Sequence, residues 1–304
     1  MNPLEAQIAE LVRTNGPLTG AELHAHLKGD SLSLWQTCRS SSILETRTLG
    51  RQYLRLDAHV EGYARLSPSI LREFFTYSVV GLADDQASLE RRGLDIATRV
   101  EAISREKQDL ARHFIENIRE QFPENWPEDQ LCVILAGDVV YHMAHRVPRP
   151  ERSTGKLVDG SDIDLVVIVA DDVPGGFVKR LDEAIYQSKY MALTSPSVRE
   201  EIDYVVKTLS RVEEQLCFDT FKRMVACKIL HEGLLLRGSQ AMFDTIKSRL
   251  REQGIAHRLE ELEAQARASR AAGQEALLSH CHAGAMSGAI CKIFYSADES
   301  EEFE

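Results

Sequence analysis

No two of the six cysteines stand at CxxC spacing: Cys38, Cys132, Cys217, Cys227, Cys281 and Cys291 are scattered along 304 residues. That excludes a zinc ribbon or a thioredoxin-like redox pair, and leaves reduced thiols in a cytosolic protein as the expectation. Long apolar runs are missing too. None approaches the roughly 20 residues of a membrane span, so no membrane attachment is expected. The N-terminal MNPLEAQIAEL lacks the basic-then-apolar order of a secretory signal, which again points to a cytoplasmic chain. The Gly-x4-Gly-Lys-Ser/Thr phosphate loop is absent, as is a Gly-x-Ser-x-Gly nucleophile elbow. Positive charge is in deficit: the net charge of -11 argues against indiscriminate coating of nucleic acid while leaving room for a local basic face. Proline and glycine are few, at 9 and 18, and with 43% hydrophobic and 27% charged residues the balance is that of a soluble globular protein. The length accommodates two domains or three small ones.

What is present begins with helical periodicity. Leu4, Ile8, Leu11 and Val12 recur at helical spacing and stop at Asn15-Gly16. Thr19 followed by Glu22 forms a capping box for a second short helix. A third helix begins at Ser31 or Ser33, and ILETRTLGRQYLRLD then alternates around Leu49-Gly50 as a hairpin would. Three short helices and a hairpin over residues 1–60 resemble a winged helix-turn-helix. That resemblance implies a third helix facing nucleic acid through Gln36 and Arg39, and a wing carrying Arg47 and Arg51. DNA, RNA or a protein partner all remain open for such a module.

Residues 61–125 read as linking helices. SPSILREFFTYSVVGL, from Ser67, looks like one capped apolar helix. The run from Ala87 to Phe122 carries a single Gly and no Pro, with Ile96, Val100, Ile103, Leu110 and Phe114 in steps of four and three interrupted by Lys107. This stripe serves either a homodimer seam or packing against its own neighbours.

From residue 126 the pattern changes. LCVILAG, 131–137, is a compact buried strand ending in Gly; DVVYHMAHRV after it is helix-like. A polar loop, PRPERSTGKLVDGS, leads into DIDLVVIV, a second strand that opens with two aspartates on one face. Two like charges at the mouth of a buried strand are favourable when a divalent cation sits between them. A third strand candidate, VREEIDYVVKTL, puts Asp203 and Val205 on the face opposite Ile202, Tyr204 and Val206. These strands occupy 126–210, followed by helices over 211–304 and an acidic tail. His142 with His145, and His280-Cys281-His282, lack a second half at ligand spacing and read as ordinary residues.

Strand-Gly-helix, then Ser-Asp-Ile-Asp-Leu before an apolar strand, then a lone acidic residue on a later strand, resembles the DNA polymerase β-like nucleotidyltransferase superfamily over about residues 130–240. The resemblance implies an α+β fold: a winged helix-turn-helix, a long linking helix, a mixed sheet with helices, and a helical C-terminal part. It implies that Asp162, Asp164 and Asp203 form a triad holding two Mg²⁺ ions, with Asp203 also activating the attacking hydroxyl. The reaction would move NMP from an NTP, most simply ATP, to a hydroxyl on protein, RNA or a small molecule. The nucleotide-binding candidates are Gly137, Asp138, Gly160, Ser161, Arg152 and Lys156. Asp138 departs from the small or hydroxyl residue usual after the first strand, and the loop before Asp162 is longer than usual and basic. The alternative is a DNA-binding regulator whose nucleotidyltransferase domain is catalytically degenerate or only senses nucleotide.

Overall fold

The structure is a computed structural model that describes residues 3–123, 126–151, 154–279 and 294. The chain divides into two compact units. One comprises the described residues up to Arg99 together with those from Glu261 onward; the other is Val100–Glu260. Both boundaries fall inside long helices rather than at a linker. The architecture is α+β, with several small sheets, one long helix and a helical C-terminal part.

In the first unit α1 (Pro3–Asn15) buries Ile8, Ala9 and Val12, and Gly16 at φ +78° ends it by returning its N–H to Val12 O. A two-residue strand, β1 (Leu18–Thr19), precedes α2 (Gly20–Leu27). The capping box is present: Thr19 Oγ1 accepts from Glu22 N–H at 3.2 Å, and Glu22 Oε2 accepts from Thr19 N–H at 2.7 Å. Such a cap is worth about 1 kcal/mol. Asp30 caps α3 (Ser31–Ser40), accepting from Ser33 N–H at 2.8 Å. Then follow β2 (Leu44–Thr48), β3 (Tyr53–Leu56), β4 (Ala64–Ser67), α4 (Ile70–Tyr77) and β5 (Ser78–Leu82).

The pairing corrects two expectations. β2 does not form a hairpin with β3: it pairs with β5 in an antiparallel sheet ordered β1-β5-β2, while β3 pairs with β4. The segment from Ser67 is not one helix either, because α4 gives way at Ser78 to β5. The reason is common to both. Ser-Val-Val-Gly is a β-branched run that can bury both faces, so it takes the central position, which the alternating RQYLRL cannot fill.

The long helix α5 (Gln86–Arg119) is continuous over 34 residues. Its apolar stripe does not form a free seam. Ile103, Ala111, Phe114, Ile115 and Ile118 are buried in the core of the second unit, which is the second of the two uses expected of the stripe. The stripe is satisfied by its own chain.

In that unit β6 (Leu131–Ala136), β9 (Ile163–Val169), β10 (Ile202–Thr208) and β11 (Leu234–Gly238) form a mixed sheet ordered β10-β9-β6-β11. A small hairpin of β7 (Arg149–Pro150) and β8 (Leu157–Val158) precedes β9. The helices are α6 (Gly175–Thr194), α7 (Leu209–Gln215), α8 (Phe221–Glu232), α9 (Gln240–Glu252) and α10 (Ile255–Ser279), the last continuing into the first unit. One sheet face sets Leu131, Val133 and Leu135 of β6 beside Leu165, Val167 and Ile202. It packs against α5 and against Phe177, Leu181 and Ile185 of α6. Alternation sends Asp164 and Asp203 to the other face. The helix expected after Gly137 is not formed: a single 3₁₀ turn spans Gly137–Val139, and His142 at φ +57° diverts the chain. No helix among the described residues is long and apolar enough to cross a membrane.

Candidate metal centre

The triad follows from strand geometry. β9 begins at Ile163, so Asp162 and Asp164 project to the same side. β10 runs parallel to β9 with Asp203 in register with Asp164, and antiparallel β6 sets Ala136 opposite Asp164 on the other flank. Carboxylate oxygens of Asp162, Asp164 and Asp203 consequently lie within 4.8 Å of one another, the one such cluster among the described residues. Asp164 is buried at the base with 7% exposure. The side chains of Asp162 and Asp203 keep 35% and 29% of their area open, so an ion can reach the group.

Gly137 is fixed by this crowding. Its φ is +74°, and a Cβ there would stand 1.9 Å from Asp164 Oδ2. Only a residue without a side chain lets the β6 terminus lie beside that carboxylate. Gly160 is constrained in the same way, at φ +78° with a Cβ position 1.8 Å from His145 O.

Asp138 is held by the loop that enters β9. Ser161 Oγ donates to Asp138 Oδ2 at 3.0 Å and accepts from His145 N–H at 3.2 Å, while Ser161 N–H donates to His145 O at 3.0 Å. Asp138 and Ser161 thus lock the loop entry to β9. The basic loop is also directed inward in part. Arg146 pairs with Glu106 at 2.8 Å and lies 3.7 Å from Glu200. Arg149 pairs with Glu201 at 2.8 Å and Asp162 at 3.5 Å, and its Nε donates to Gly160 O at 2.8 Å. Lys156 sits exposed before β8, and Arg152 lies outside the described residues, as do His280, Cys281 and His282.

The charge balance is acidic. Burial pushes the Asp162 carboxyl above its usual range; Arg149 opposes the shift, and Asp138 and Asp203 add to it. Glu201 is raised by burial as well, again with Arg149 opposing and Asp162 and Asp203 reinforcing. Carboxylates that resist ionisation together, in a cluster of hard oxygen donors, fit a divalent cation.

Sequence reasoning missed Lys189, Glu201 and Glu232 beside this site. Lys189 Nζ on α6 donates to Asp203 Oδ1 at 2.6 Å. Glu232, ending α8, accepts from Gly137 N–H at 3.5 Å, from Tyr141 OH at 2.5 Å, and pairs with Lys228 at 2.7 Å. Only Glu201, two before Asp203 and therefore on the same face of an extended chain, left a readable signal.

The nucleic-acid candidates differ in their exposure and partners. Gln36 is buried at 7% exposure, and its Nε2 donates to Leu277 O at 2.7 Å, so it is removed from the reading surface expected of it. Trp35 beside it meets Phe294 edge-on at 5.7 Å. Arg39 is exposed at the end of α3 and Arg51 is exposed between β2 and β3. Arg47 is engaged by Gln86 at 2.7 Å and by Glu45 and Glu90 at 3.5 and 3.8 Å. Comparison with protein-family models, with curated proteins and with solved structures finds no match for this chain.

Proposed function

We propose that the second unit is a magnesium-dependent nucleotidyltransferase, moving NMP from an NTP to a hydroxyl acceptor. One observation carries this reading: three aspartates from adjacent strands converge within 4.8 Å at a glycine that leaves no room for a Cβ. Asp162 and Asp164 would hold the metal, with Asp203 completing the carboxylate cluster beside it. Magnesium bound there supplies positive charge to phosphate oxygens and to the departing pyrophosphate. The chain's own part is positioning and proton transfer. Asp203 receives the proton of the acceptor hydroxyl as its oxygen bonds to the α-phosphorus and the bond from that phosphorus to the bridging oxygen breaks. Arg149, beside Asp162, orients that carboxylate.

The first unit supports a winged-helix variant in which β5 supplies the third strand of the sheet. Covering of α3 at Gln36 favours a protein partner for it over nucleic acid.

The test is transfer of α-label from each NTP with Mg²⁺, alone and with cell extract, against Asp162→Asn/Asp164→Asn. Label moved only by the wild type is the expected result, and the labelled species names the acceptor class. Equal labelling by the double variant sinks the mechanism. Glu232 favours a second reading. Its carboxylate stands at the Gly137 amide, where an incoming phosphate would otherwise be received, as in a degenerate, regulatory domain. Absence of both transfer and NTP binding would select that reading.

A further inference from the structure

Asp203 is engaged by a cation of the chain itself. Lys189 reaches it from α6 with Nζ 2.6 Å from Oδ1, and both side chains are half-buried, at 28% and 29% of their area exposed. A pair so placed is screened less than one on open surface. Around it gather Asp138, Asp162, Asp164 and Glu201; Arg149 pairs with Glu201 and Asp162, and Lys107 also feels the Asp162 charge. Arg149 and Lys189, the cations paired directly with these carboxylates, are not equivalent. Arg149 is committed chiefly to Glu201 at 2.8 Å and to Gly160 O at 2.8 Å, and stands off from Asp162 at 3.5 Å. The ammonium of Lys189, by contrast, is directly on the third carboxylate of the triad.

Resting on the metal reading above, we propose that Lys189 takes the place of a second ion. The centre binds one divalent cation at Asp162 and Asp164, and the Lys189 ammonium serves as the built-in cation on Asp203. A second divalent ion on Asp203 would have to share that carboxylate with the ammonium, and repulsion between the two cations at such separation opposes it. The arrangement still leaves Asp203 a second carboxylate oxygen for the acceptor hydroxyl. Lys189 thereby positions and charge-balances Asp203 without needing a metal at that corner.

Mn²⁺ titration of the full chain, followed by the electron paramagnetic resonance of free Mn²⁺ without nucleotide, tests this independently of activity. Wild type is expected to bind one Mn²⁺, with at least a tenfold loss of affinity in Asp162→Asn/Asp164→Asn. Lys189→Met is expected to bind a second Mn²⁺, and Lys189→Arg to return the count to one. Two ions in the wild type, or a single ion in Lys189→Met at unchanged affinity, would overturn the role of Lys189 and leave the metal reading intact. Wild-type binding that is absent, or indifferent to Asp162→Asn/Asp164→Asn, would overturn the metal reading itself.

Discussion

Asp162 carries the tension of the site in its ionisation. Burial, Asp138 and Asp203 raise its carboxyl above the ordinary 3.8, against the pull of Arg149. A raised acid binds its proton more readily in the folded chain than in the unfolded one. Its destabilisation is therefore absent below the unfolded value and fully present only once the pH exceeds the folded one. Asp162→Asn in chelator should raise the unfolding midpoint. With 35% of the side chain exposed, solvent screens the repulsion, so the gain is discounted to the order of 1 kcal/mol. For a unit of this size that is about 2–4 °C. Added Mg²⁺ should raise the wild-type midpoint and leave the variant's unchanged. Thermal unfolding followed by circular dichroism reads both; a variant less stable than wild type in chelator would contradict the like-charge account.

At the scale of elements, the join between α5 and the loops feeding β9 and β10 rests on a buried ion pair. Lys107, 1% exposed, donates to the Glu200 carboxylate and to Asp159 O at 3.0 Å, so one helix residue ties the chain just before Asp162 to the chain just before Asp203. Burial lowers the lysine and raises the glutamate, each opposed by its partner, so both shifts say that desolvation outweighs attraction. Removing one partner should hurt far more than removing both. Lys107→Met is expected to destabilise by about 3 kcal/mol, with Arg146 at 3.7 Å easing the stranded charge, and Lys107→Met/Glu200→Met to recover most of it. Urea unfolding of the double-mutant cycle decides; simple additivity of the two single losses would refute it. Lys107 also marks how far sequence could be read. It stood out as an interruption in an apolar stripe, but its partner lies on a distant loop. β6, β9 and β10, and hence the facing of the three aspartates, were legible because period-two alternation is local. The partner of β2 was not, since β5 wins it by long-range burial after an intervening hairpin and helix. Lys189 and Glu232 carried no motif at all. Their place beside the triad is a product of helix packing onto the sheet.

For the whole molecule, the triad belongs to only one of the two units, although α5 and α10 each run across the division. A ligand that binds the native state alone stabilises by mass action, about 2.7 kcal/mol at one hundred times its dissociation constant. That gain reaches those amides whose exchange requires opening of the unit that holds the ligand. Saturating Mg²⁺ should therefore slow hydrogen exchange on the order of one hundredfold in Leu131–Ala136, Ile163–Val169 and Ile202–Thr208. Leu44–Thr48 and Ser78–Leu82, in the first unit, should exchange at unchanged rates. The comparison is internal to one chain, so a general effect of ionic strength would slow or hasten both sets alike and is separated from binding. Equal slowing in both sets, lost in Asp162→Asn/Asp164→Asn, would mean that the two long helices make the units open together. The division seen in the fold would then have no counterpart in the energetics, and metal at the triad would stabilise the first unit as firmly as its own.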